Sequence, residues 1–185
     1  MNIQELNELI RLHGAAVYSF CCRLAANRPD AEDLYQETFL KATELCHKID
    51  RYDNPKAFLL AIALRLWRDK RRKFARRQRI APMESLPEDG LQGRFAGAKE
   101  DQPEEIAIAR EQAEMVRRAV EALDDAHRVP LYLYYTAELP IEEIASLLKL
   151  PKGTVKSRLY HARKAILKRL ELPIMNESDL NRLLQ

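Results

Sequence analysis

The chain has 185 residues, with 31 Lys and Arg against 28 Asp and Glu, and only five Gly. That length suits one domain or two small ones, and the dominance of helix formers makes an all-α fold the default. Three cysteines without a CxxC pair exclude a disulfide-stapled secreted framework and fit a reduced cytoplasm.

The start, Met1-Asn2-Ile3-Gln4-Glu5, is neither basic nor followed by an apolar core, so no secretory leader is expected. A first helix is predicted over Ile3 to Ala26, with Leu6, Leu9, Ile10, Val17, Phe20, Cys21 and Leu24 facing inward and Gly14 as a weak point. Pro29 ends or restarts the path, and Asp30 can cap or open a second helix over Asp30 to Lys48. Ala31, Leu34, Thr38, Ala42 and Leu45 form its inward face, while Asp33, Gln36, Glu37, Lys41 and Glu44 occupy another, acidic near its start. That second face reads either as a solvated strip suited to the helix dipole or as a docking strip for a protein partner. Cys46 and His47 lie close together, but their spacing to the other His residues matches no common zinc site.

After a polar loop over Ile49 to Asn54, Asn54 is a good N-cap and Pro55 fits the first helical position. The third helix, predicted over Pro55 to Gln78, takes apolar contacts from Phe58, Leu59, Ile62, Leu66 and Phe74. Its second half carries Arg65, Arg68, Lys70, Arg71, Arg72, Lys73, Arg76, Arg77 and Arg79, opposed only by Asp69. Such density repels itself unless a polyanion neutralises it. Trp67 and Phe74 lie among these charges, where an aromatic can stack on unpaired bases. Two other readings stand beside that one: the helix lies on an acidic membrane surface, or Trp67 belongs to the core. No apolar run approaches the roughly 20 residues of a membrane helix, so no stable membrane insertion is expected.

From Ile80 to Glu105, Pro82, Pro87, Gly90, Gly93, Gly97 and Pro103 break any helix and acids outnumber bases, which reads as a flexible acidic linker. A fourth helix follows, with Ile106, Ala109, Ala113, Val116, Ala119, Val120 and Leu123 on one face. Arg128 to Tyr135 is predicted as a short scaffold helix, with Pro130 placed in its first turn because a mid-helix Pro costs about 3 kcal/mol.

Leu139 to Lys164 reads as two helices around a tight turn. Pro140 suits the first helical position and Glu142 and Glu143 suit the first turn. Ile141, Ile144, Ala145 and Leu148 share one face. Pro151 begins a second helix whose inward stripe is Val155, Leu159, Ala162, Ile166 and Leu170, leaving Lys156, Ser157, Tyr160, His161, Arg163 and Lys164 mostly outside it. No Asp or Glu occurs between Lys149 and Leu170, whereas a merely solvated face mixes signs. Short helix, turn and basic second helix make a helix-turn-helix, whose second helix enters the major groove. After Pro173 a frayed tail is expected. No P-loop, GxSxG or HExxH is present, so neither an enzyme nor a cofactor or metal requirement is expected.

Glu142-Glu143-Ile144-Ala145, Leu150-Pro151-Lys152-Gly153-Thr154-Val155-Lys156-Ser157-Arg158-Leu159 and Ala162-Arg163-Lys164 resemble region 4 of the extracytoplasmic-function (ECF) sigma factors, the small members of the bacterial sigma-70 family. Asp30 to Ala42 resembles their region 2.2, and Phe58-Leu59, Ile62-Ala63, Asp69 and Arg72 match regions 2.3 and 2.4. The resemblance covers Leu9 to Leu170. It implies a region 2 bundle over residues 1–79, a linker over 80–105, a region 4 helix-turn-helix over 106–172 and a tail over 173–185. It implies a transcription initiation factor that docks Asp30, Glu32, Asp33, Gln36 and Glu37 on the clamp helices of the largest subunit of core RNA polymerase. Promoter contacts follow: Asp53, Asn54, Arg65, Arg68 and Arg72 at the −10 element, whose loop captures a flipped base. At the −35 element they are Lys152, Thr154, Lys156, Ser157, Arg158, Tyr160, His161, Arg163 and Lys164. The linker would thread the polymerase's active-site and RNA-exit path, and many relatives answer to an anti-sigma factor. Arg65 stands where the family commonly has Asn, Pro140 where it often has Ser, Lys149 where it often has Gly, and His161 where it often has Arg. A stand-alone helix-turn-helix regulator is the alternative, although no heptad or sensor domain supplies the dimer such proteins need.

Overall fold

The computed structural model describes residues 3–45, 54–80 and 103–170. Among them are seven helices and no strand, as an all-α reading requires, and the chain divides into two compact units, Met1–Gly93 and Arg94–Gln185.

The first unit holds α1 (Ile3–Leu24), α2 (Arg28–Glu44) and α3 (Pro55–Ile80), each packed on the other two. Val17, Phe20 and Cys21 from α1, Ala31, Leu34 and Ala42 from α2, and Leu59, Leu60 and Ala63 from α3 are buried together. Each fully buried large side chain contributes about 1.5–3 kcal/mol of transfer free energy. Ile10, expected inward, is instead exposed, and Leu9 is only half-buried. The stripe of α1 is thus covered only from its middle onward. Gly14 is more than a weak point: a Cβ there would stand 2.9 Å from Tyr35 Oη. Its bareness lets α2 lay Tyr35 against α1, where the ring meets Tyr18 edge-on at 5.4 Å and Phe39 at 5.0 Å.

α2 starts two residues before the expected Asp30. Asn27 is the N-cap: its side chain accepts from the Asp30 N–H at 2.9 Å and leaves Pro29 inside the first turn. Thr38 is buried, and its hydroxyl donates to the Leu34 carbonyl at 2.6 Å, which satisfies a polar group that would otherwise be costly inside the core. Asn54 caps α3 as expected, accepting from the Ala57 N–H at 3.2 Å. Trp67 is core, only 7% exposed, whereas Phe74 is 59% exposed. The apolar period of α3 therefore runs past the end of the bundle, and Phe74, expected to pack, is left mostly exposed.

The second unit holds α4 (Pro103–Glu121), α5 (Asp125–Tyr135), α6 (Ile141–Leu148) and α7 (Lys152–Leu170). α7 is its centre and packs on the other three. Val155, Leu159, Ala162, Ile166 and Leu170 are all buried, so the five-residue stripe read from spacing is the one observed. Val116, Ala119 and Val120 bury α4; Ala113, expected with them, lies two turns before Val120 on a stretch open to solvent. Asp124 caps α5, its side chain accepting from the His127 N–H at 3.0 Å. Pro130 is the sixth residue of α5, beyond the first turn, and is buried. The helix gives up one backbone donor there and gains an apolar core residue beside Val129 and Leu131. The tyrosines are largely scaffold: Tyr132 and Tyr135 are buried and Tyr134 half-buried.

Pro140 is the N-cap of α6, with extended backbone (φ −65°, ψ 153°), so Ile141 is the first helical residue. The Pro140 carbonyl accepts from Glu143 and Ile144. The C-terminus of α6 closes in a Schellman pattern: Leu150 N–H meets Ala145 O at 2.9 Å and Lys149 N–H meets Ser146 O at 3.2 Å. Lys149 is left-handed (φ 56°, ψ 47°), the strained outcome that a Lys in place of Gly implies. Glu138 is left-handed as well (φ 52°). Pro151 precedes α7, its carbonyl accepting from Thr154 and Val155. The linker residues 81–102, the loop around Asp53, Cys46 and His47, and the tail from residue 171 lie outside the described residues.

Candidate nucleic-acid interface

Three surfaces stand out. On α2, Asp33, Gln36 and Glu37 are exposed together with Asp30, and Glu32 is half-exposed. Asp30 accepts from the Asn27 side chain at 3.0 Å and Glu32 pairs with Arg28 at 2.8 Å. Glu37 reaches across to Lys70 of α3 at 3.1 Å, with both side chains partly solvated; such a pair contributes little to stability. Leu40 lies one turn beyond Gln36 and Glu37 and is 65% exposed. Sequence reasoning passed over it; the signal was an apolar residue falling on the polar face of α2.

On α3, Arg65 and Arg68 are exposed, as is every residue from Lys70 to Arg79. Arg72 pairs with Asp69, and the Arg71 guanidinium lies 4.9 Å from the centre of the Trp67 ring. Asn54, the cap of this helix, is exposed. The cations therefore surround the second half of α3.

On α7, Lys156, Ser157, Tyr160, His161 and Lys164 are exposed on one continuous face, and Lys152 and Gly153 are exposed at its start. Thr154, Arg158 and Arg163 are half-buried at its margin. The Arg163 guanidinium sits 6.0 Å from the Tyr135 ring centre, while Lys152 Nζ reaches Glu142 Oε1 at 3.2 Å and ties the turn to α6. Tyr160 and His161 contact edge-on at 5.4 Å, and His161 lies 6.5 Å from the His127 ring. The Asp124 carboxyl is held below its usual range by the His127 side chain, then by the N–H groups it caps.

These features define a helical protein with a helix-turn-helix, a second, Arg-rich helix and a separate acidic strip. Models of known families agree: "Sigma-70 region 2" matches residues 9–78 and "Sigma-70, region 4" matches residues 113–166. The ECF RNA polymerase sigma factor SigW of Bacillus subtilis is 27% identical over 176 residues, covering 88% of this chain and 87% of SigW. SigE of Mycolicibacterium smegmatis, also an ECF sigma factor, is 34% identical over 163 residues, covering 86% of this chain and 59% of SigE. The fold is similar to that of the sigma factor RpoE from Bartonella quintana, solved with the anti-sigma factor NepR (TM-score 0.74, 22% identity, 93% of this chain and 100% of that one). It is also similar to CnrH, solved with the cytosolic domain of CnrY (TM-score 0.64, 21% identity, 92% of this chain and 90% of that one). The chain belongs to the sigma-70 family, in its extracytoplasmic-function group, and is a transcription initiation factor that directs RNA polymerase to promoters. Among the described residues no helix is long and apolar enough to cross a membrane.

Proposed function

We propose that this chain divides the work of initiation between its two units. Residues 1–79 form the region 2 module. The strip of Asp30, Glu32, Asp33, Gln36 and Glu37 docks on the clamp helices of core polymerase, with Leu40 as its apolar centre. α3 holds and melts the −10 element through Arg65, Arg68 and Arg72, with Asp53 and Asn54 at the loop before it. Residues 106–172 form the region 4 module, in which α7 lies in the major groove at −35. Lys156, Ser157, Tyr160 and His161 face base edges; Lys152, Thr154, Arg158, Arg163 and Lys164 hold phosphates. The acidic stretch between α3 and α4, most of the linker expected over 80–105, acts inside the polymerase as well as joining the modules; Pro103, expected to break a helix, instead opens α4. The protein works in the cytoplasm, needs no cofactor and contributes no catalytic group, since the polymerase supplies the chemistry. An anti-sigma factor is proposed as its regulator, on the analogy of the two solved complexes.

What carries this reading is the exposed face of α7: five polar side chains at helical spacing, a buried stripe directly behind them, and no acid from Lys149 to Leu170. A stand-alone regulator would leave the acidic strip and the Arg-rich helix of the first unit without a role. The test is a randomised −35 library bound by holoenzyme carrying wild type, Ser157→Ala or His161→Arg, with Lys164→Ala in a salt titration. Losing a base contact should cost about 1–3 kcal/mol and relax preference at one position. Losing a phosphate contact should weaken all sequences alike and lower the salt slope by about one unit. Unchanged base preference in both Ser157→Ala and His161→Arg would reduce α7 to an electrostatic anchor.

A further inference from the structure

The second half of α3 is unusual as a protein surface. Every residue from Arg71 to Arg79 is exposed, so this stretch has left the bundle and, among the described residues, no core lies behind it. Six of these nine residues are cations, Arg71, Arg72, Lys73, Arg76, Arg77 and Arg79, and none is an acid. Pairs such as Arg72 with Arg76 and Lys73 with Arg77 place like charges one turn apart, which destabilises a free helix. In that field stands one aromatic, Phe74, 59% exposed.

Its position on the helix matters. At about 100° per residue, Phe74 lies two turns beyond Trp67, on the stripe that also carries Leu60 and Ala63. Those three are buried; Phe74 is the continuation of their stripe past the edge of the protein. Lys70, Arg71 and Arg77 flank it at spacings of three and four residues. Of the other two aromatics of this helix, Phe58 is half-buried in its first turn, and Trp67 is buried with a guanidinium over its ring and has no open face to offer. Trp67 and Phe74 therefore separate: Trp67 anchors the helix to the bundle, and Phe74 faces outward among the cations.

A single exposed apolar residue is ordinary on a protein surface. This one is set in a surface that only a polyanion neutralises, and a benzyl ring does little for duplex phosphates. Against an unpaired base it offers a π face, and such stacking on aromatic side chains is the main sequence-tolerant contact in single-strand binding.

We infer that Phe74 is a stacking platform for an unpaired base of the single-stranded DNA held along α3. The inference rests on the reading of α3 as the −10-binding helix and deepens it: the arginines hold the backbone in either strand state, and Phe74 contributes only once a base has left the stack. Phe74 thereby favours the opened promoter over the closed one without reading sequence.

The experiment uses holoenzyme assembled from core polymerase and the full chain. The probes are a fork-junction DNA with a single-stranded −10 segment carrying 2-aminopurine at successive positions, and its fully duplex counterpart. Phe74→Ala and Phe74→Leu should each lose about fivefold to a hundredfold in fork affinity, the range that one base–aromatic stack supports. They should also lose the fluorescence quenching at one position, while duplex affinity stays within a factor of two (roughly the scatter expected of exposed substitutions). Phe74→Trp should retain both affinity and quenching. Arg68→Ala with Arg72→Ala is the companion variant. If it loses fork binding while Phe74→Ala does not, the stacking inference alone is overturned. If neither loses it, the assignment of α3 to the −10 element falls as well. Full activity of Phe74→Leu would make the contact apolar packing without stacking, and a loss of core-polymerase affinity in Phe74→Ala would make it a protein contact; either overturns the inference.

Discussion

Two residues of the second unit hold left-handed backbone without being glycine: Lys149 at φ 56° and Glu138 at φ 52°. An L-residue pays about 1–2 kcal/mol for that conformation. Replacing it with Gly removes the strain but loosens the unfolded chain, at a cost of about 0.4–1 kcal/mol. Both side chains are exposed, so neither substitution empties a packed site. The net expectation is a gain of about 0.5–1 kcal/mol for each of Lys149→Gly and Glu138→Gly. For a unit of this size 1 kcal/mol corresponds to about 4–8 °C in Tm, so each variant should unfold some 2–8 °C higher. Lys149→Ala is the control, because alanine keeps the Cβ and the strain; it should stay within about 0.5 kcal/mol of wild type. Calorimetry of the full chain gives the answer, with the transition of the second unit identified as the one that Ile166→Ala lowers, since Ile166 is fully buried. If Lys149→Gly melts no higher than Lys149→Ala, the strain assigned to the turn is not there.

Gly153 should split stability from function. A Cβ there would meet nothing within 4 Å, so Gly153→Ala should stabilise α7 by about 0.5–1 kcal/mol, yet it should weaken −35 binding by crowding the DNA-facing start of the helix; a melting curve and a binding isotherm on one preparation decide it. Charge reversal at Asp33 and Glu37 should weaken core-polymerase binding in a pull-down while leaving helicity unchanged, since both are exposed; undiminished affinity would remove the docking assignment. Burial pushes the Cys21 thiol from 9.0 up to about 12. The unfolded chain therefore ionises first, and the linked stability is complete below about pH 9 and falls as pH rises toward 12, by at most about 1.4 kcal/mol per unit. Denaturant titrations of wild type and Cys21→Ala at pH 7 and pH 10 should show a steeper loss in wild type, the slope left in Cys21→Ala coming from Cys22, Tyr18 and Tyr35, which burial also pushes up.

The helix-turn-helix was the most legible part of the chain because one helix period decides it. Val155, Leu159, Ala162, Ile166 and Leu170 recur at helical spacing, and a helix has only one way to bury such a stripe. The left-handed Lys149 was legible only through the family resemblance, which commonly has Gly where this chain has Lys149. Local choices between equivalent residues were not legible. Asn27 and Asp30 are both good caps, and Pro29 is compatible with either start. The length of a core was equally hidden, because periodicity continues through Phe74 without marking where the bundle stops. Pro130 was misplaced for an opposite reason: propensity assigns it a cost, but burial beside Val129 and Leu131 outweighs that cost. Leu40 was passed over because an exposed leucine has no signature until the burial of its neighbours is known.

The central claim is that one chain brings core polymerase to a promoter and opens it there, using both of its units. The direct measurement is promoter-length transcription by core polymerase with wild type, with an α2 charge-reversal variant (Asp33→Lys with Glu37→Lys) and with Ser157→Ala. The account predicts specific transcripts only when the wild-type chain is present, loss of core binding in the first variant, and retained core binding with altered promoter choice in the second. Promoter-specific DNA binding by the chain alone, with transcription unchanged by its addition to core polymerase, would contradict it.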